Sequence, residues 1–133
     1  MDPAASPEGG RRALLVEDEA LVAMIAEDYL RELGLEPLTA RSAAEALKVV
    51  DQESALTVAL IDVGLPDQRG DELAKHLRTL RPELPILMAS GYDHQELLGR
   101  FGGDPGVGAL SKPYTEGDLT AALERLGVIS SAS

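Results

Sequence analysis

Acidic side chains lie at two points where an apolar run of the sequence ends. Glu17 and Asp18 follow "ALLV" at residues 13–16, and Asp62 ends "LTVALID" at residues 56–62. A carboxylate within an apolar run is costly to bury unless cations or hydrogen bonds compensate it. The chemistry of Asp62 therefore depends on which other polar side chains the fold brings to it.

Two further apolar runs lead to polar residues of complementary chemistry. Ser90 ends "LPILMAS" at residues 84–90, and Lys112 follows "VGALS" at residues 107–111. If these runs are parallel strands of one sheet, their carboxyl ends meet at the edge where such sheets place functional sites. The sequence thus predicts one cluster of three carboxylates, a hydroxyl and a lysine.

Such a cluster favours metal-assisted phosphoryl chemistry. Clustered carboxylates repel one another unless they are protonated or neutralised by cations. A hard divalent cation with oxygen ligands, Mg²⁺ or alternatively Mn²⁺, would balance them together with Lys112. A carboxylate that the cation leaves available can act as a nucleophile and form an aspartyl phosphate. The cation and the lysine would then stabilise charge on the transferring phosphoryl group.

Strands and helices are predicted to alternate along the chain and so to position this cluster. The four apolar runs are predicted strands, and "LEPLTA" at residues 35–40 is a weaker fifth. Apolar residues at helical spacing predict helices between them and after the last one. Short strand–helix units of this kind are typical of an α/β fold, in which helices cover both faces of a parallel sheet.

Cap signals predict where several helices begin and end. The first helix, from Ala20 to Leu33, is expected to stop at Gly34 in the C′ position. The motif "SAAE" predicts a capping box in which Ser42 is the N-cap and Glu45 reaches back to it. Pro82 is expected to end the third helix, and Thr115 is the expected N-cap of the last helix.

The domain prediction follows from composition along the chain. Residues 1–11 are rich in Pro, Gly, Ala and Ser and are predicted to be a disordered tail. Residues 12–127 are predicted to be one domain, and residues 128–133 a frayed end. Within the domain, "GRFGGDPGVG" at residues 99–108 holds five glycines. Glycine loses much conformational freedom on folding, so the fourth helix is expected to be short or frayed.

Overall composition excludes several classes of protein. The formal net charge of −11 argues against a nucleic-acid-binding surface, which is normally basic. The absence of cysteine excludes disulfides and thiolate metal sites. No apolar run approaches the roughly 20 residues of a membrane span, and the N-terminus lacks the pattern of a signal peptide. We therefore expect a cytoplasmic protein with neither a nucleic-acid nor a membrane partner.

The motifs "LLVEDE", "LIDVGLPD", "MASG" and "LSKPY", in this order, resemble those of the response-regulator receiver domain. The resemblance covers residues 12–127, nearly the whole chain. It implies a doubly wound, flavodoxin-like fold whose five-stranded parallel sheet has the order 2-1-3-4-5. It also implies a phosphoacceptor of two-component signalling rather than an enzyme, with chemistry limited to Mg²⁺-dependent self-phosphorylation and self-dephosphorylation.

The resemblance assigns the acidic cluster position by position. Asp62 resembles the phosphoacceptor. Asp18 resembles the direct metal ligand, and Glu17 resembles the ligand that acts mostly through water. The backbone carbonyl of Gly64 resembles the third protein ligand of the cation.

The remaining resemblances concern the switch. Ser90 resembles the hydroxyl that follows the phosphoryl group, Lys112 resembles its ion partner, and Pro113 resembles the cis-peptide proline of the family. Many receivers carry an aromatic residue three positions before the lysine, where this chain has Ala109. Because "LMASGYD" resembles a variant with a Phe-Ala-Thr-Gly-x-Tyr motif, Tyr92 is the predicted replacement gate.

The implied partners are a histidine kinase or histidine phosphotransfer protein, which supplies the phosphoryl group, and a downstream protein whose contacts then change. A receiver excised from a hybrid histidine kinase and a phosphate-sink relay are alternatives. A degenerate receiver that binds partners without phosphorylation is another, but the intact acid, serine and lysine set argues against it.

Two other protein classes fit the sequence less well. A phosphohydrolase of the haloacid-dehalogenase type would carry a second Asp where Gly64 stands. A nucleotide- or flavin-binding module would have a glycine-rich phosphate loop after the first strand, where the chain reads "VEDEA".

Overall fold

The computed structural model describes residues 11–91 and 94–129, in which five strands alternate with five helices. Most of the predicted N-terminal tail, part of the predicted frayed end and Tyr92 lie outside these residues. The elements are β1 Arg12–Val16, α1 Ala20–Glu32, β2 Glu36–Ala40, α2 Ala43–Gln52, β3 Leu56–Asp62, α3 Gly70–Leu80, β4 Ile86–Ser90, α4 His94–Gly99, β5 Val107–Ser111 and α5 Glu116–Arg125.

All five strands are parallel and form one sheet in the order β2-β1-β3-β4-β5. The predicted fold class and strand order are therefore confirmed. β3 and β5 coincide with the predicted runs, whereas β4 begins two residues later than predicted, at Ile86. Pro85 has no N–H to donate to the ladder, which is consistent with the later start.

Helices cover both faces of the sheet because alternate strand residues point to opposite sides. Leu14 and Val16 of β1 belong to the core that packs under α2, α3 and α4. Ala13 and Leu15 belong to the core under α1 and α5. Burial on both faces explains why the strands read as unbroken apolar runs. No helix in the described part of the chain has the length and apolar character needed to cross a membrane.

The predicted helix caps are confirmed with one correction. Gly34 has a positive φ of 85°, and Leu35 donates its N–H to the Leu30 carbonyl at 2.9 Å, as in a Schellman motif. Thr115 and Asp118 form a reciprocal capping box at α5.

The box predicted at α2 is only half formed. The Ser42 hydroxyl accepts from the Glu45 N–H at 3.1 Å, as predicted. The Glu45 carboxylate, however, accepts from the N–H of Arg41 at 2.8 Å rather than from that of Ser42. Its side chain is long enough to reach one residue beyond the N-cap.

The fourth helix is short, as predicted, with six residues. Acid–arginine contacts hold it and the following glycine-rich segment to α3. Arg100 contacts the buried carboxylate of Asp71 at 2.5 Å, and Arg69 contacts the same carboxylate at 2.9 Å. Burial acts to raise the pKa of Asp71, but hydrogen bonding and charge from Arg69, with Arg100, outweigh it and hold the pKa below its usual value. Farther along, Arg78 makes two hydrogen bonds to Asp104, at 2.9 and 3.0 Å.

Gly70 fixes how closely α3 approaches the end of β3. Its N–H donates to the Val63 carbonyl at 2.8 Å. A Cβ added at this position would lie only 2.1 Å from the carbonyl oxygen of Asp62 and 2.7 Å from the Cα of Val63. Only glycine therefore permits this contact without a backbone shift.

We predict that Gly70→Ala lowers the free energy of unfolding by about 1–3 kcal/mol, because the added methyl group overpacks against backbone. Urea unfolding followed by circular dichroism measures the change. Gly99→Ala is the matched control, because a Cβ there meets nothing within 4 Å. Equal stability of the Gly70→Ala variant and the wild type would contradict the close contact.

Candidate functional site

The carboxyl ends of β1, β3, β4 and β5 bring the predicted polar residues to one edge of the sheet. Asp18, Asp62, Ser90 and Lys112 all line one cavity of about 460 Å³. Glu17 lies beside them and is buried, with 3% of its surface exposed. The structure thus assembles the cluster that the parallel-strand prediction required.

Glu17, Asp18 and Asp62 each place a carboxylate oxygen within 4.8 Å of those of the other two. Asp62 is 6% exposed, so water screens its charge poorly. Each carboxylate in such a group disfavours ionisation of its neighbours. The cluster therefore needs positive charge or protons to be stable.

Lys112 supplies one positive charge from the end of β5. Its Nζ donates to Asp62 Oδ1 at 3.1 Å and lies 3.9 Å from Glu17 Oε1. Partial burial acts to lower the pKa of Lys112, but the hydrogen bond to Asp62 and the charges of Asp62 and Glu17 outweigh it and raise the pKa. Lys112 is therefore a fixed cation that lies against the central carboxylate.

Glu17 has a raised pKa and therefore binds a proton more tightly than an ordinary carboxylate. Burial raises the pKa of Glu17 to about 7, and the Asp62 charge adds to the effect against a hydrogen bond from the Glu19 N–H. That N–H donates to Glu17 Oε2 at 3.2 Å. At neutral pH and without a cation, the cluster is thus partly neutralised by protonation of Glu17.

Two donors contact the Oδ1 oxygen of Asp62. The Gly64 N–H donates to Oδ1 at 3.2 Å, the same oxygen that Lys112 contacts. Ser90, 3% exposed, ends β4, and its carbonyl accepts from the Lys112 N–H at 2.9 Å. The next peptide bond, between Lys112 and Pro113, is cis, as the resemblance implies.

The structure shows where most of the predicted site residues lie, and the roles assigned to them stay predictions. Tyr92 lies outside the described residues, so its role as a gate stays a prediction. Glu19, which the sequence reading did not single out, lines the cavity. His94, which carries no signal beyond being a lone histidine, is half-buried, and its Nε2 lies 3.0 Å from Ser111 Oγ. Ala109 pairs with Met88 in the sheet and presents no aromatic ring.

The donor set fits a hard divalent cation. All three clustered side chains offer carboxylate oxygens, which Mg²⁺ and Ca²⁺ prefer over softer ligands. Three carboxylates opposed by one ammonium leave two negative charges when every acid is ionised, and one divalent ion would balance them. Gly64 borders the same cavity, so its backbone lies in the right region to add a carbonyl ligand.

Comparison with known proteins gives a consistent result. Residues 13–124 match the response regulator receiver domain family. The sensor kinase CckA of Brucella abortus is 27% identical over 127 residues, which cover 95% of this chain and 13% of that protein. The transcriptional regulatory protein PdtaR of Mycobacterium tuberculosis is 30% identical over 115 residues, covering 86% of this chain and 55% of that protein.

A solved structure has the same fold as this chain. The CheY-like receiver domain protein from Methanospirillum hungatei JF-1 superposes with a TM-score of 0.77 at 28% identity, covering 88% of this chain and 94% of that one. In contrast, this chain spans about half or less of the length of CckA and PdtaR. The likeness to those two proteins is therefore a likeness to one part of each.

We predict that the metal-free protein loses stability as the pH rises from about 4.5 to 7, because Glu17 must give up a proton that the folded state binds more tightly than the unfolded state. The loss should be on the order of 1–3 kcal/mol. Chemical unfolding with a chelator at each pH measures it. Glu17→Gln should flatten the decline, whereas Glu32→Gln, at an exposed position of α1, should not. Identical slopes in all three proteins would contradict the elevated pKa.

Proposed function

This chain belongs to the response regulator receiver domain family, and we propose that it accepts a phosphoryl group on Asp62 in a Mg²⁺-dependent reaction. One observation carries the proposal. Asp62 lies in a nearly buried carboxylate cluster with its Oδ1 held by Lys112 at 3.1 Å, at the floor of an open cavity. Receiver domains are typically signalling modules, so the chemistry proposed here acts on the chain itself.

Asp62 is the nucleophile in the proposed transfer. Lys112 and the Gly64 N–H both engage Oδ1, and we assign the attack on phosphorus to Oδ2. With a phosphohistidine donor, the P–O bond to Oδ2 forms as the P–N bond breaks, and the imidazole keeps the electron pair. The carboxylate form of Asp62 is the nucleophile in this step, and Lys112 places a positive charge against its other oxygen, Oδ1.

The residues around Asp62 would hold the cation and stabilise the phosphoryl oxygens. Glu17, Asp18, Asp62 and the Gly64 carbonyl would hold Mg²⁺, which when bound supplies positive charge opposite the phosphoryl oxygens. Lys112 would exchange part of its contact with Oδ1 for a phosphoryl oxygen, because the added group brings charge and acceptor oxygens. The Ser90 hydroxyl would donate to another of these oxygens.

Receiver domains interact with histidine kinases and phosphotransfer proteins, and one face of this chain suits such a donor. Leu21, Met24 and Ile25 of α1 are 74%, 58% and 53% exposed. Large apolar side chains exposed together mark contact surfaces. α1 begins two residues after Asp18, which lines the cavity, so a protein docked on this face would bring its histidine to Asp62.

The proposed output is a change in protein contacts around α4. His94 joins the start of α4 to Ser111, one residue before Lys112, and Arg100 joins its end to Asp71 of α3. A movement of Ser90 or Lys112 on phosphorylation would therefore act on a helix of only six residues. Ala109 is too small to serve as the rotating aromatic, and the proposed gate at Tyr92 takes that place.

We predict that acetyl phosphate with Mg²⁺ adds one phosphoryl group to the protein and that Asp62→Asn abolishes the addition, because the amide is not a nucleophile. Intact-mass spectrometry measures both results. Asp28→Asn, at a position whose side chain is 80% exposed on α1, is the matched control and should be labelled like the wild type. Full labelling of the Asp62→Asn variant would rule out Asp62 as the acceptor.

We also predict that Mg²⁺ stabilises the wild type, by about 2.7 kcal/mol at a hundredfold excess over the dissociation constant. Asp18→Asn should remove most of this gain by deleting a ligand, while Asp28→Asn keeps it. Thermal unfolding at matched ionic strength is the measurement. If Mg²⁺ does not change the melting temperature of the wild type, the cluster does not bind the cation.

A further inference from the structure

The loop that follows Asp62 is tied to a distant helix by one side chain. Asp67 lies in the β3–α3 loop, residues 63–69. Its Oδ1 accepts from the N–H of Ala43 at 2.9 Å, and its Oδ2 accepts from the N–H of Ala44 at 3.0 Å. These two groups open α2 and have no partner within the helix itself.

α2 does not depend on Asp67 for the rest of its first turn. The Glu45 N–H donates to the Ser42 hydroxyl, and the Ala46 N–H donates to the Ser42 carbonyl at 3.0 Å. Ser42 is thus the local cap, and Asp67 adds a link from another part of the chain. The two N–H bonds hold the pKa of Asp67 below its usual value, so its charged form makes the link.

Gly70 makes a second contact, which holds the start of the same loop. The Gly70 N–H donates to the Val63 carbonyl, and the Gly70 Cα lies against the Asp62 carbonyl. Gly64 lies between Val63, which accepts from Gly70, and Asp67, and it donates its N–H to Asp62 Oδ1 at 3.2 Å. The segment that contacts the Asp62 carboxylate is thus attached to neighbouring elements on both sides of Gly64.

We propose that Asp67 is a positioning residue for the phosphoacceptor: by tying the β3–α3 loop to the start of α2, it holds Gly64 and the Asp62 carboxylate in the geometry that cation binding and phosphoryl transfer require. The proposal rests on the proposed function. Asp67 itself touches neither the cation nor the phosphoryl group. It acts through the loop, and a small misplacement of reacting groups is enough to slow a reaction by one to two orders of magnitude.

Three variants distinguish a positioning role of Asp67 from an effect on α2 stability and from an effect of its charge. Asp67→Ala removes both bonds and the charge. Asp67→Asn removes the charge but keeps one oxygen that can accept from the Ala43 or Ala44 N–H. Ser42→Ala removes a cap from the same helix and leaves the loop attached.

The measurements are the dissociation constant for Mg²⁺ and the rate of phosphorylation by acetyl phosphate at saturating Mg²⁺. We expect Asp67→Ala to weaken the first and slow the second by about tenfold. Ser42→Ala should stay within about twofold of the wild type in both, although its helix is less well capped. Asp67→Asn should recover part of the loss, since it can still make one of the two bonds.

Three outcomes would overturn the proposal. Wild-type values for Asp67→Ala would mean that the tether positions nothing. Equal losses in Asp67→Ala and Ser42→Ala would assign the effect to α2 stability. Equal losses in Asp67→Ala and Asp67→Asn would assign it to charge.

If the wild type takes no phosphoryl group, the proposed function is refuted. Hydrogen exchange then tests the positioning role of Asp67 separately. In metal-free protein, the Gly64 amide should exchange its hydrogen faster in Asp67→Ala than in Ser42→Ala. Equal exchange rates in the two variants would refute the positioning role independently of any chemistry.

Discussion

The charge imbalance around Asp62 is the constraint on which the rest of the site depends. Three carboxylate oxygens lie within 4.8 Å of one another, and the ammonium of Lys112 opposes them at 3.1 Å from Asp62. Burial keeps water from screening the repulsion, and a proton on Glu17, whose pKa is raised to about 7, relieves part of it. A divalent cation would relieve it more fully. The same unbalanced charge that weakens the metal-free fold thus favours cation binding.

The fold maintains this unfavourable cluster by spreading its members over separate rigid elements. Glu17 and Asp18 follow β1, Asp62 ends β3 and Lys112 follows β5, so the relative positions of these strands set the spacing of the cluster. The strands are buried on both faces, which fixes their relative register. Gly70 adds a constraint of its own, because its lack of a side chain lets α3 pack directly on the Asp62 carbonyl. Rigid support of this kind suits the proposed phosphoryl transfer, whose rate depends on the positions of the reacting groups and of the charges around them.

The sequence predicts Asp62, Ser90 and Lys112 well because a simple rule connects them: parallel strands bring their carboxyl ends to one edge. The same rule could not reveal the Asp67 link, since that contact joins a loop to a helix 23 and 24 residues earlier and depends on the exact path of both. Likewise, the sequence shows Gly70 only as a glycine at the start of a predicted helix. It does not reveal that a backbone carbonyl lies against this residue. The half-formed box at Ser42 has the same origin, because the reach of Glu45 to Arg41 depends on the local backbone path. Contacts that depend on the exact path of the backbone are therefore the ones that the sequence did not predict.

Chemical mapping of the modified residue tests the assignment of Asp62 most directly. Borohydride reduces an aspartyl phosphate to homoserine, which marks the acceptor permanently in the peptide chain. After treatment with acetyl phosphate and Mg²⁺ followed by borohydride, tandem mass spectrometry should locate homoserine at position 62 and at no other aspartate. Homoserine at another position, or none in a protein that has gained a phosphoryl group, would contradict the proposed chemistry.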